Sequence, residues 1–181
     1  NAEHICAQYR SLHGEPPALL VQAPGRVNMI GEHTDYNEGL AMPAAIDRFV
    51  WLAFGRSGKG PGILSALNTG ENVTITNFAE SSPATNHWSA YLSAAALILS
   101  ERGAEVPSFH CVFGGDLPMG SGLSSSAALS CGALVGLSEL SNVHFPRKEL
   151  AFMAQSIEKR YIGLQCGIMD PYVSIFGKKG H

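Results

Sequence analysis

GGDLPMGSGLSSSAA, residues 114–128, comes directly after the alternating run SFHCVF and directly before a segment of small and apolar residues that lasts to Leu140. Phe109, Cys111 and Phe113 fall on one face of a strand. The order is therefore strand, glycine loop, helix. Gly120 and Gly122 let the backbone approach a ligand closely, and a helix opening at Leu123 presents free N–H groups to the same place, an arrangement that favours an anion. No lysine follows the glycines, so this is not a Walker A loop. A tight turn built of small residues for packing is the alternative. The three serines 124–126 weigh against it, because a helix cap needs one hydroxyl, whereas several can also bond phosphate oxygens or ligate Mg²⁺.

Working outward, the segment from Leu123 to Leu140 is apolar nearly all round, with Gly132 and Gly136 one turn apart, which predicts a central, closely packed helix. A second helix is expected over about Arg147 to Tyr161, where Leu150, Ala151, Ala154, Ile157 and Tyr161 recur at helical spacing. On the N-terminal side, residues 2–13 read as a helix that Pro16-Pro17 stops, and ALLVQA enters a strand. The apolar run from Leu40 to Phe54, interrupted by Asp47 and Arg48, suggests strands flanking a bend. Gly and Ser residues from 55 to 62 mark a hairpin or loop, VTITNF (73–78) a further strand, and residues 88–102 a helix closing at Gly103. Strands first and helices packed against them make an α+β domain.

The chain has 181 residues, 45% of them apolar, enough for one domain with a sizeable core. Its 12 basic and 15 acidic residues are scattered without runs, which leaves no footprint for nucleic acid or acidic membranes, so small partners are expected. Cys6, Cys111, Cys131 and Cys166 form no C-x-x-C and read as reduced thiols of a cytoplasmic protein. No signal peptide is visible, and the runs YLSAAALIL and SAALSCGALVGL are too short to span a bilayer. The first residue is not Met and the chain stops just past an apolar stretch, so an excised piece is expected.

Two further stretches concentrate polar groups. GRVNMIGEHTDYN, residues 25–37, packs an arginine, two acids, a histidine, a tyrosine and two asparagines around a Gly-Glu-His turn. GLQCGIMDPYVSIFG, residues 163–177, sets Asp170 in apolar, glycine-bearing surroundings. A carboxylate there needs a partner or a task. It can also cap a helix ahead of Pro171, and the two readings are compatible. Glu158, on the preceding helix, is by default a solvated acid.

GRVNMIGEHTDYN resembles the signature of galactokinases, PMGSGLSSSAA the phosphate-loop motif of the wider GHMP kinase superfamily, and CGIMD the galactokinase segment bearing the catalytic aspartate. The resemblance runs from about residue 2 to residue 181 with order and spacing kept. It implies a GHMP-kinase N-terminal domain over residues 1–181, a mixed β-sheet packed against helices, with the second domain of the family absent from this chain. It also implies that Glu32, His33, Thr34 and Asp35 bind the sugar, that Arg26 faces the transferring phosphoryl and Asp170, and that Gly120, Ser121, Gly122, Leu123, Ser124, Ser125 and Ser126 bind ATP. Ser126 and Glu158 match the Mg²⁺ ligand pair. Tyr36 and Asn37 serve either the site or the turn.

The implied reaction is transfer of the γ-phosphoryl of ATP to the C1 hydroxyl of galactose, giving galactose 1-phosphate. The alternatives are an N-acetylgalactosamine kinase and a galactose- and ATP-binding sensor with little turnover. Three positions depart from the family pattern: Pro171 where Gln is usual, Lys159 where His or Asn is usual, and Ala90 in the W-x-N-Y segment. Pro171 removes an N–H and fixes φ beside Asp170, which bears on turnover more than on sugar binding.

Overall fold

The computed structural model describes residues 1–78 and 87–178, so the last three residues of the expected domain lie outside it. Helix α1 (Ala2–His13) precedes strands β1 (Leu19–Asn28), β2 (Pro43–Arg56), β3 (Gly62–Ala66) and β4 (Glu71–Ile75). Helix α2 (Ser89–Glu101), strand β5 (Phe109–Gly115) and helices α3 (Ser125–Leu140), α4 (Arg147–Ser156) and α5 (Met169–Phe176) follow, with a π-helical turn Ile157–Ile162 between the last two.

The five strands form one mixed sheet in the order β1-β2-β5-β3-β4. All neighbours pair antiparallel except β3 and β5, which are parallel. The strand that enters the glycine loop is thus the middle strand, inserted between β2 and β3 although it comes after α2 in sequence. Residues 57–61 are accordingly a loop and not a hairpin, because β2 and β3 are not neighbours.

Both faces of the sheet are covered. On one, α3 lies against β1 and β2 with α2, α4 and α5 around it. Phe54, Phe109, Cys111 and Phe113 belong to that core, with α2's Leu92 and Leu99 and α3's Leu134 and Leu137. On the other, Ile5 and Tyr9 of α1 pack on Ala53 and Val112. The small residues of α3 are what bring it so close: a Cβ on Gly136 would lie 2.3 Å from Phe54 Cε2, and one on Gly132 2.4 Å from Leu52 Cδ1.

Residues 40–54 form no pair of strands about a bend. A single strand, β2, runs straight through Asp47 and Arg48, whose side chains point to solvent, 91% and 51% exposed. The irregularity lies in β1 instead, where the register shifts between Pro24 and Arg26. The second C-terminal helix ends as α at Ser156 and continues to Ile162 as the π-helical turn. Gly103, at φ 83°, follows α2 as expected.

Candidate active site

The break in register at Gly25 places Arg26. A Cβ on Gly25 would lie 2.4 Å from Leu117 Cδ1 and 2.7 Å from the Leu123 carbonyl, so the strand passes the glycine loop at a distance open only to glycine. Arg26 N–H then donates to Leu123 O (3.1 Å) and its Nη1 to Gly122 O (2.7 Å). The rest of the guanidinium makes a two-pronged pair with Asp170, Nε to Oδ1 at 2.6 Å and Nη2 to Oδ2 at 2.7 Å. This fork-to-fork geometry is the strong form of a charge-assisted hydrogen bond. Asp170 does not cap α5: the cap position is Ile168, and the carboxylate in the first turn faces Arg26. Pro171 is the third residue of that helix, where a missing N–H costs no intrahelical bond.

In the loop, Gly120 and Gly122 have φ of 69° and 76°, with no atom within 4 Å of where a Cβ would stand. Backbone conformation, not crowding, requires glycine there, and the space above is open. The loop is tied to β2 by Phe49 N–H donating to Asp116 Oδ1 (2.9 Å). Helix α3 starts at Ser125 with no side-chain cap and no acid in its first turn. Its leading N–H groups therefore remain available to an anion. Ser124, Ser125 and Ser126 line a cleft of about 410 Å³ together with Arg26, Gly120, Gly122 and Asp170.

Glu158 is 3% exposed, not the solvated acid its helix position suggests by default. Burial raises its carboxyl above the usual range, against hydrogen bonds from the Cys166 thiol and the Ser126 hydroxyl. The same neighbourhood pushes the Cys166 thiol up to about 12, burial first and Glu158 next, so it stays a hydrogen-bond donor. Among the described residues Glu158 forms no salt bridge and no three His, Cys, Asp or Glu side chains cluster as metal ligands. A buried carboxylate beside a hydroxyl offers hard oxygen ligands of the kind Mg²⁺ accepts alongside phosphate oxygens.

The loop after β1 is held by its own groups. Thr34 Oγ1 donates to Gly31 O (2.7 Å) and is also within bonding distance of Leu40 O (2.9 Å), and Asn37 Nδ2 donates to His33 O (2.8 Å). The Tyr36 hydroxyl bonds the His33 ring. Thr34, Tyr36 and Asn37 thus shape the turn, and Glu32 and His33 project into solvent at its tip. Asp35 turns inward: its Oδ2 accepts from Met169 N–H at 3.2 Å, one residue before Asp170. A Cβ on Gly167 would lie 1.7 Å from the same oxygen. The structure therefore brings together Arg26, Asp170, Ser124, the glycine loop, Ser126 and Glu158, and attaches Asp35 to that group. Glu32 makes no hydrogen bond among the described residues.

Sequence reasoning overlooked Tyr91 as a wall of the cleft. Burial, then Glu158, raises its phenol above the ordinary value. The available signal was a tyrosine opening the largely apolar run YLSAAALIL. Lys159 is exposed, and Ala90 is buried in the core of α2. No helix among the described residues is long and apolar enough to cross a membrane.

Residues 7–56 match the model described as the galactokinase galactose-binding signature, and residues 90–178 that of the GHMP kinases N terminal domain. The galactokinase of Thermotoga neapolitana is 42% identical over 90% of this chain and 45% of its own length. That of Roseiflexus is 36% identical over 96% of this chain and 44% of its own. The solved structure of the Lactococcus lactis galactokinase in complex with galactose superposes with a TM-score of 0.85 at 30% identity, covering 97% of this chain and 46% of that one. The mevalonate kinase of Methanococcus jannaschii, at a TM-score of 0.79 and 20% identity, shares the fold. The chain spans somewhat under half the length of the curated relatives it matches.

Proposed function

The chain belongs to the galactokinase family of the GHMP kinases, and on that premise we propose that it is the N-terminal, substrate-binding half of a cytoplasmic enzyme. That enzyme phosphorylates galactose at the C1 hydroxyl with ATP. The observation that carries the reading is Asp170, held by Arg26 and lining one cleft of about 410 Å³ together with the glycine loop and the uncapped start of α3. A carboxylate, a cation and free backbone N–H groups at one point suit a hydroxyl that attacks a phosphoryl group.

In this reading the backbone of Gly120–Ser126 cradles the nucleotide phosphates, and Asp35, with Glu32 and His33 at the loop tip, accepts hydrogen bonds from sugar hydroxyls. Thr34 contributes through the loop it pins. Ser126 and Glu158 hold Mg²⁺, which when bound neutralises phosphate charge. Arg26 balances charge at the transferring group and orients Asp170. The C1 oxygen forms the new bond to the γ-phosphorus, the bond from that phosphorus to the β–γ bridging oxygen breaks to release ADP, and the hydroxyl proton leaves by way of Asp170. Positioning and charge neutralisation supply most of the acceleration. Pro171 and Lys159 leave the Arg26–Asp170 pair intact, which favours an enzyme over a sensor.

Mg²⁺-dependent ADP release by the complete protein tests this, comparing galactose with N-acetylgalactosamine and no sugar. The expected result is release with galactose well above both. Sugar-independent release, or none, contradicts the proposal, and a preference for N-acetylgalactosamine reassigns the substrate.

A further inference from the structure

Asp170 has four acceptor sites, two on each carboxylate oxygen. Oδ2 takes two hydrogen bonds, from Arg26 Nη2 (2.7 Å) and from the Ser124 hydroxyl (2.5 Å). Among the described residues Oδ1 takes one, from Arg26 Nε (2.6 Å). One oxygen is filled and the other keeps an open site.

Ser124 reaches Asp170 only because of its own backbone. It stands at the cap position of α3 with φ 61° and ψ 43°, a left-handed conformation uncommon for a residue other than glycine. A serine placed there to cap the helix would sit in the extended region and accept from an N–H of the first turn. Ser124 does neither, and α3 has no side-chain cap at all. The strained conformation aims the hydroxyl away from the helix and across 46 residues of sequence to the carboxylate.

We propose that Ser124 is a positioning residue for phosphoryl transfer, which fills Oδ2 of Asp170 and so leaves Oδ1 as the oxygen that receives the sugar hydroxyl. The inference rests on the catalytic reading of Asp170 given above. With the carboxylate held at three points, the open site on Oδ1 has a fixed direction. The C1 proton passes to it as the C1 oxygen bonds to the γ-phosphorus and ADP departs. Arg26 alone leaves a second open site on Oδ2, to which the hydroxyl could bond in an unreactive pose.

The test uses the complete protein with Ser124→Ala, Ser124→Gly and Asp170→Asn, measuring kcat and both KM values. Loss of the hydroxyl is expected to lower kcat by about tenfold or more in both serine variants. KM for galactose and for ATP should stay within about threefold. A hydroxyl that binds phosphate directly would instead raise KM for ATP and leave kcat in place. Glycine adopts the left-handed conformation without strain, so Ser124→Gly should fold at least as well as Ser124→Ala while losing turnover to the same degree, and it decides the matter if the alanine variant does not fold. A kcat for Ser124→Gly within about fivefold of wild type, or a loss confined to KM for ATP, overturns the inference. If Asp170→Asn is inactive in that experiment, the catalytic reading survives the loss; if Asp170→Asn turns over normally, both fail.

Discussion

Asp35 and Met169, 134 residues apart in sequence, are joined by a hydrogen bond of 3.2 Å from the Met169 amide to the Asp35 carboxylate. The loop proposed to hold the sugar is thereby fastened to the residue next to Asp170. Asp35→Ala should therefore weaken galactose binding by roughly 1.5 to 3 kcal/mol, the worth of a charge-assisted acceptor. It should also lower kcat, because the Asp170 segment loses an anchor. Nucleotide affinity should hardly change. Separate titrations of galactose and nucleotide check the first and last points, and an unchanged galactose Kd removes Asp35 from the sugar site.

Gly167→Ala reaches the same contact from the other side. The added methyl would stand 1.7 Å from Asp35 Oδ2, so either the loop or the segment must move. Galactose affinity is expected to fall as in Asp35→Ala while the Tm changes little, since neither segment belongs to the core. A Gly167→Ala protein with wild-type galactose affinity would show that this contact does not govern the sugar loop.

Much of this was legible along the chain, and what was not has identifiable causes. Helix α1 follows from its pattern and the two prolines beyond it. The insertion of β5 between β2 and β3 was not legible, because strand order is a long-range property that no local pattern encodes. Asp47 and Arg48 suggested a bend, since two charges inside an apolar run resemble a break; on a solvent-facing stretch of one strand they are ordinary. Asp170 stood out as a carboxylate in an apolar, glycine-bearing stretch and Arg26 within a stretch crowded with polar groups, but their roles came from the family resemblance, and Glu158 was recognisable through it alone, as nothing local to Glu158 announces its burial. Ser124 was read with the phosphate loop, because a left-handed serine leaves no mark in sequence.

Gly136→Ala tests the fold rather than the site. Its methyl would meet the ring of Phe54 at 2.3 Å, and Phe54 is fully buried between α3 and the sheet. Overpacking of this kind should cost about 1 to 3 kcal/mol. Urea unfolding gives the value directly, and a variant as stable as wild type would mean that α3 lies farther from β2 than described.

Stability should fall on mild acidification. His13 of α1 stacks on His110 of β5 with ring centroids 4.1 Å apart, and His110 Nδ1 accepts from Ile63 N–H (3.1 Å). Burial lowers both histidines below their ordinary value, with His110 adding to the lowering of His13 and Glu15 opposing it at both. Each ring binds its proton more readily in the unfolded chain. The stability they leave intact at neutral pH is therefore lost as pH drops below the unfolded value of about 6.5 toward the lowered folded values. His13→Phe, which keeps a ring over His110, should flatten the decline in Tm between neutral pH and pH 5.5. An equal decline in both proteins would place the acid sensitivity elsewhere.

The chain 1–181 in isolation should bind ligands weakly and turn nothing over. Its matched relatives are about twice as long, and Met29, Ile30, Leu40 and Met42 are all more than half exposed around the sugar loop. Apolar surface of this extent invites self-association. Light scattering and a phosphorylation assay on the purified chain address both points; vigorous galactose 1-phosphate formation by it would show that the site is already self-sufficient.

In the proposed reaction Asp170, held by Arg26, serves a sugar hydroxyl attacking ATP. Phosphorus NMR of galactose 1-phosphate formation by the complete protein, wild type against Asp170→Asn, reads that role, with galactose binding measured in parallel. The amide keeps the shape of the carboxylate but loses the charge and the proton acceptor. Galactose 1-phosphate is expected from wild type and none from Asp170→Asn, with galactose Kd changed by no more than about tenfold. A correctly folded Asp170→Asn protein that keeps more than about a tenth of wild-type turnover contradicts it.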